Sequence, residues 1–230
     1  MLSILIPCYN EEINILKNTD KLIIWANSKS YKVEINLINN ASTDSTLEIL
    51  KKLESNPNVN IFNENKKGKG YAVKTGLLNS NFKNILILDA DLSTGIEQFN
   101  DDWLNHDSQL LLGSRAIGNE LYTPLFRKIS GKVLNFLIRK IFDLNIKDTQ
   151  CGFKFVSSNR ISKIAENISI GGFMYDLDLI LSSKKENLKI VEFPVVYKFD
   201  KNSSVSMFKD PFLMLFDLFS LKIKYNIKQN

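Results

Sequence analysis

The chain has a single histidine, His106, in the polar run Asn105-His106-Asp107-Ser108. A histidine-based triad or an imidazole-ligated zinc site therefore has almost no raw material. Cysteine is nearly as scarce. Cys8 and Cys151 lie far apart and in no metal-ligand spacing, which excludes a disulfide framework and reads as two free thiols in a reducing compartment. No run reaches the about 18 apolar residues of a membrane-spanning helix. Leu2–Pro7 has no positive flank and no cleavage site, so it reads as a strand and not a signal peptide. The expectation is a soluble or peripheral chain. Glycine is sparse where phosphate loops need it. Gly68-Lys69-Gly70 lacks the Ser or Thr of a Walker A loop and the full Gly-x-Gly-x-x-Gly spacing of a dinucleotide site. No basic stripe with interleaved aromatics is present, so nucleic acid is not an expected partner. Repeats, low-complexity tracts and interdomain linkers are also missing.

What is present is ordinary globular material. With 230 residues, 44% hydrophobic and 24% charged, the chain can build one large domain with a proper core. The net charge of +5 and pI of about 9.0 suit phosphorylated substrates or an anionic membrane surface.

The stretch that organises the rest is Asn84-Ile-Leu-Ile-Leu-Asp89-Ala-Asp91-Leu-Ser93. An aliphatic run reads as a buried parallel strand and ends in two carboxylates one residue apart. If the extended geometry continues to the tip, Asp89 and Asp91 point the same way. Two like charges at the end of an apolar strand repel and lose solvation. A hard divalent cation, Mg²⁺ or Mn²⁺, would offset both effects. The plain alternative is two solvated acids that end a strand and cap a helix.

Strand-like and helix-like segments alternate around this stretch. Strands are expected at Leu2–Pro7, Val33–Ile38, Asn58–Phe62, Ile85–Leu88, Leu110–Leu112 and Phe153–Val156. Leu188–Tyr197 gives one or two more, interrupted at Pro194. Helices follow Asn10, expected as an N-cap, and run through Leu47–Leu53, Ala72–Leu77, Pro124–Phe142, Asp178 and Phe212–Ile223. The alternation predicts a mostly parallel sheet with helices on both sides. Ligands gather at the carboxyl ends of such strands, and four polar clusters fall there: Pro7–Glu12, Asn39–Asp44, Asp89–Ser93 and Gly113–Arg115.

Several motifs carry two readings. Gly68-Lys69-Gly70 before a helix can cradle a phosphate or be a surface turn. Arg115 can clamp a phosphate or be a lone surface arginine. Asp148 and Asp176, beside Thr or Gly in loops, can act as a base or cap a helix. The helix 124–142 carries Arg127, Lys128, Lys132, Arg139 and Lys140. It can face anionic lipid or a lipid phosphate, or present a solvated basic face.

Together these residues resemble the GT-A glycosyltransferases of family 2, over Leu2 to about Lys222. Ile6-Pro7-Cys8-Tyr9-Asn10-Glu11-Glu12 resembles the first nucleotide-binding segment. Asn39–Asp44 stands where the family has an Asp-Asp-Gly-Ser turn, and Asp89-Ala90-Asp91 matches its DXD metal motif. Asn65–Ala72, Gly113-Ser114-Arg115 and Asp148-Thr149-Gln150-Cys151-Gly152-Phe153-Lys154 look like the polyprenyl-phosphate hexosyltransferases. The dolichyl-phosphate β-glucosyltransferases fit ahead of the mannosyltransferases.

The resemblance implies an α/β, GT-A (Rossmann-like nucleotide-diphospho-sugar transferase) three-layer fold with a mostly parallel central sheet. It implies one domain over 1–230, with a nucleotide-sugar half at 1–115 and an acceptor half at 116–230 bearing basic and apolar membrane-facing helices. Pro7, Tyr9, Glu11 and Asn39 would hold base and ribose, and Lys69 the phosphates. Asp89 and Asp91, with Ser93 assisting, would hold Mg²⁺ or Mn²⁺ and the diphosphate. Arg115, Arg127 and Lys128 would face phosphates. The implied donor is a nucleotide sugar, UDP-glucose ahead of GDP-mannose. The implied acceptor is a lipid phosphate, met in the cytoplasm at the cytosolic face of a membrane.

The chain departs from the family pattern at Asn39, where an Asp is usual, and near Ser203-Ser204-Val205, where a basic residue is missing unless Lys209 substitutes. The Gln-x-x-Arg-Trp motif of processive members is absent, which argues against polysaccharide synthesis. The expected reaction is a single in-line displacement at the anomeric carbon with inversion. Asp91, Asp89 and Arg115 would serve the leaving group, and Asp148 or Asp176 would act as base if the acceptor is a hydroxyl. The competing readings are a same-fold transferase with a soluble or glycan acceptor, a sugar nucleotidyltransferase and a non-catalytic nucleotide-sugar binder.

Overall fold

The structure is a computed structural model and describes residues 1–122, 124–198 and 210–226. In chain order the elements are β1 (Leu2–Cys8), α1 (Ile15–Asn27), β2 (Val33–Asn40), α2 (Thr46–Leu53) and β3 (Val59–Glu64). Then come α3 (Lys69–Asn79), β4 (Asn84–Ile87), two 3-10 turns, β5 (Gln109–Leu121), α4 (Leu125–Phe142) and β6 (Lys154–Ser157). The chain continues through α5 (Ile161–Asn167), α6 (Tyr175–Lys185), β7 (Lys189–Lys198) and α7 (Asp210–Asn226).

The strands form one sheet in the order β3-β2-β1-β4-β6-β5-β7. Only β6 runs against its neighbours; the other pairings are parallel. Alternation along each strand sends side chains to two separate cores. Leu2, Ile4, Ile6 and Cys8 of β1, with Val33, Ile35 and Leu37 of β2, pack under α1 and α2. Leu5, Ile38, Ile85, Ile87, Leu110 and Val156 face the other way, under α3, α5, α6 and α7. The expected three-layer, mostly parallel α/β architecture is therefore present.

Two features of the sheet position the site. First, the order reverses beside β1, so a crevice opens at the carboxyl ends of β1 and β4. Second, β6 is antiparallel, so its amino end lies at that same edge. Lys154 is opposite Ile87 of β4 and Leu112 of β5, which brings the loop 148–153 against the tip of β4.

Some local expectations need correction. Asn10 does not cap α1. It sits at φ 54°, its Oδ1 accepts from Thr43 N at 2.8 Å, and α1 begins only at Ile15. The strand expected at Leu110–Leu112 continues to Leu121, because β7 pairs along it on both sides of a register shift between Ser114 and Asn119. Pro194 does not split β7. It lies in an edge strand beside that shift, where a missing N–H is tolerated. The short helix α5 lacked a sequence signal. Asp210-Pro211 opens α7, whereas Ser203-Ser204-Val205 and Lys209 lie outside the described residues.

Candidate active site

Three loops close around the tip of β4. The first two are tied to each other. Glu11 N donates to Thr46 Oγ1 (2.7 Å) and Ser45 N to Glu12 Oε2 (2.9 Å). Asn39, buried at the end of β2, donates to Asn63 Oδ1 at 3.0 Å and accepts from Ser42 N. Tyr9 is gripped by Lys67, whose ammonium donates to the phenol oxygen at 2.5 Å and lies 4.2 Å from the ring centre. Pro7, Tyr9, Glu11 and Asn39 thus share one rim, with Pro7, Tyr9 and Glu11 half-buried.

The third loop, 65–70, is wedged against the segment before α6. Gly68 adopts φ 146°, in the range that favours glycine. A Cβ there would strike the Gly171 carbonyl, and one on Gly70 would strike Ile170 O and come within 2.6 Å of Tyr175 Cβ. Gly70 N donates to Gly171 O at 2.9 Å. Both glycines are therefore set by close backbone approach, and they place Lys69 at the first turn of α3.

At the tip itself the strand does not run on. Ladder pairing ends with Ile87, Leu92 takes φ 50°, and Leu92 N bonds back to Asp89 O at 3.0 Å. The side-chain alternation expected to align the carboxylates stops short, and a turn brings Asp89 and Asp91 together instead. Burial and the charge of Asp89 push Asp91 above the usual carboxylate range. Burial also works against the Asp89 anion, but Lys69, Lys154 and Arg115 more than offset it and hold Asp89 low. Lys69 Nζ lies 2.5 Å from Asp89 Oδ1. Burial disfavours its charge, yet Asp89, Asp176 and Asp91 raise its pKa overall.

Behind the pair lies a buried ion pair that sequence reasoning passed over. Lys154 and Asp176 are both buried and meet at 2.7 Å. The ammonium also donates to the carbonyl of Cys151. A lysine inside the apolar strand string Phe153-Lys154-Phe155-Val156 was the available signal, since lysine is almost never fully buried without a partner. Gly152 leaves room for the Asp89 carboxylate, which any Cβ would hit.

Arg115 and Asp148 are joined as well. Arg115 Nε donates to Asp148 Oδ2 at 2.7 Å and Nη2 to Oδ1 at 2.9 Å, while Arg115 N donates to Oδ2 at 3.0 Å. Burial would raise the Asp148 pKa, but the guanidinium fork holds it below the ordinary range. Neither Asp148 nor Asp176 is a free carboxylate, so the expectation that one serves as base meets a physical obstacle in each case.

Arg115 and Asp148 also line a cavity of about 730 Å³ with Glu120, Tyr197, Lys147 and the α4 residues Lys128, Lys132, Asn135 and Arg139. Glu120 lies 3.8 Å from both Arg115 and Lys128. Among the described residues no other acid lines the cavity, so that lining is net basic. Tyr197 sits 5.3 Å from the Arg115 guanidinium, and Lys198 N bonds to Ser93 O at 2.8 Å, which fastens β7 to the β4 tip. Arg127 is in α4, but its side chain lies outside the described residues.

The donor set fits a hard divalent cation. It offers oxygens from two adjacent carboxylates, and Ser93 Oγ is buried without a hydrogen-bond partner beside them. Among the described residues no third His, Cys, Asp or Glu joins the group. A cation here would complete its shell with water and phosphate oxygens, as Mg²⁺ commonly does.

Comparison with known proteins places these features. The family description "Glycosyl transferase family 2" matches residues 3–158. A dolichyl-phosphate beta-glucosyltransferase of Dictyostelium discoideum is 30% identical over 97% of this chain and 74% of its own length. The Homo sapiens enzyme of that name is 24% identical over 97% of this chain and 75% of its own. A crystal structure of glucosyl-3-phosphoglycerate synthase from Mycobacterium tuberculosis with Mn²⁺, UDP and phosphoglyceric acid superposes with a TM-score of 0.69. It is 13% identical and covers 98% of this chain and 78% of its own. That likeness establishes the fold, which is GT-A.

Proposed function

The chain belongs to glycosyltransferase family 2, and on that premise we propose that it moves glucose from UDP-glucose to a dolichyl-type polyprenyl phosphate at a membrane surface. The observation that carries the acceptor class is the net-basic cavity lined by Arg115, the same guanidinium whose charge helps hold Asp89 ionised. An acceptor phosphate is already anionic at neutral pH, so its oxygen attacks without a general base and needs positioning instead. Asp148 and Asp176, each locked in an ion pair, suit that chemistry and suit a hydroxyl acceptor poorly. The glucosyl and dolichyl choices are supported by relatives named for that transfer.

In this reading Pro7, Tyr9, Glu11 and Asn39 hold the base and ribose on the β1–β2 rim. Lys69, at the first turn of α3, meets the diphosphate through its ammonium. Asp89 and Asp91 would hold a divalent ion, which when bound would supply positive charge to the departing diphosphate. Arg115 is held by Asp148 and lines the basic cavity. From there it orients the acceptor phosphate, with Lys128 and Lys132 beyond it. One in-line displacement inverts the anomeric carbon.

No helix among the described residues is long and apolar enough to cross a membrane. Exposed apolar rows on α4 and α7 support peripheral attachment, with the acceptor half at 116–230 turned to the lipid. Attachment to the cytosolic face is part of the same proposal.

The test is incubation of the purified chain with UDP-glucose or GDP-mannose, Mn²⁺ and a polyprenyl phosphate in vesicles. Glucolipid formation is expected from UDP-glucose alone, and Asp91→Ala should abolish it while the melting temperature is kept. Transfer only to water-soluble acceptors would sink the lipid-phosphate reading.

A further inference from the structure

We propose that Lys69 is a place-holder for the divalent cation: its ammonium occupies Asp89 while the metal is away and passes to the donor diphosphate when the metal arrives. The inference rests on the reading of Asp89 and Asp91 as the metal pair, and it adds an order of events. Asp89, Asp91 and Asp176 each act on the Lys69 ammonium, but Asp176 is already paired with Lys154 at 2.7 Å. Without a further cation the remaining pair would leave two like charges facing each other in a half-closed site. Lys69 supplies that cation at 2.5 Å from Asp89 Oδ1.

The geometry also allows it to leave. The backbone of Lys69 is pinned between Gly68 and Gly70, both pressed on the 170–171 carbonyls. Its four-carbon stem is flexible, so the ammonium can swing while the Cα stays. The destination is the donor diphosphate that the proposed function places beside Lys69. Gly70 N and Tyr71 N are already taken by Gly171 O and Gly68 O, so the ammonium and not the helix end is the group that meets it. A metal arriving alone must evict the ammonium from Asp89. A metal arriving with a diphosphate gives the ammonium a new partner. The two ligands therefore help each other bind, and by linkage the help is mutual.

The experiment is a Mn²⁺ titration followed by electron paramagnetic resonance, with and without UDP, on the wild type and on Lys69→Met. Lys69→Gln serves as a second uncharged variant, and circular dichroism confirms folding. Both variants should bind Mn²⁺ alone about tenfold more tightly than wild type, in the ordinary range of such couplings. UDP should then tighten Mn²⁺ binding much less than it does in wild type. Equal Mn²⁺ affinity in wild type and both variants overturns the place-holder role alone. No Mn²⁺ binding to any form, or binding that survives Asp89→Asn and Asp91→Asn, overturns the metal pair itself.

Discussion

At the residue scale, the site is a set of charges that only make sense in pairs. Asp148 is 3% exposed and would be an expensive anion by itself, yet the Arg115 fork holds its pKa below the ordinary carboxylate value. A depressed folded pKa gives stability that is present above the unfolded value near pH 4. That stability is lost as pH falls through the folded value. Asp148→Asn removes this contribution and leaves the partly buried Arg115 without its bidentate partner, Glu120 lying at 3.8 Å. The expected loss is about 3 kcal/mol at pH 7, read by urea denaturation, with transfer impaired because Arg115 is no longer aimed. The gap between wild type and variant should narrow as pH drops below about 4. An equal gap at both pH values would contradict the assignment of that stability to the Asp148 charge. The DXD pair was legible from sequence because its spacing is local. The partners of Arg115, Asp148, Asp176 and Lys69 were not, since each bond joins residues at least 20 positions apart.

At the scale of elements, the donor loop is tied to the last helix through one buried acid. Asp178 of α6 is fully buried and accepts from Ser169 N (2.7 Å), Ile170 N (3.1 Å), Lys224 Nζ (2.7 Å) and Tyr225 OH (2.7 Å). Lys224 and Tyr225 belong to α7. Ser169 and Ile170 precede Gly171, whose carbonyl takes the Gly70 N–H. Asp178→Asn should cost about 3 kcal/mol and raise amide hydrogen exchange across α7 and across residues 68–72 together. Faster exchange in α7 alone would show that the helix and the donor loop are not coupled. The sequence placed Asp178 on a helix, but burial and five donors from two other segments, the Ser169 hydroxyl included, cannot be read from periodicity. The order and kind of most elements could be read, because aliphatic runs and helical spacing are local signals. The reversed direction of β6 could not. Four residues, Lys154–Ser157, look the same in either direction, and it is this reversal that brings Gly152 and Lys154 to Asp89.

At the scale of the whole molecule, α4 divides its surface three ways, and the proposed membrane attachment rests on that division. At about 100° per residue, Lys128, Lys132, Asn135 and Arg139 fall on one arc and line the basic cavity. Ile138 is buried about a quarter-turn from that arc, and Leu134 and Ile141 lie further round, against the core. Between them Leu125, Ile129 and Val133 are each more than half exposed, and α7, which packs beside α4, exposes Phe216 and Phe219 to a similar degree. An apolar row adjoining a basic cavity matches a lipid whose phosphate enters the cavity from the membrane surface. The quadruple variant Ile129→Ser, Val133→Ser, Phe216→Ser, Phe219→Ser separates this role from folding. These side chains lie at the surface, where substitutions usually shift stability by only about 0.5 kcal/mol each. Their insertion into an interface contributes on the order of 1 kcal/mol apiece. With about 1.4 kcal/mol per tenfold, vesicle affinity should fall by roughly two orders of magnitude or more in co-sedimentation, and UDP affinity should stay unchanged. Retained vesicle binding would place the membrane contact elsewhere. Lost UDP binding would show that these rows support the fold and do not face lipid.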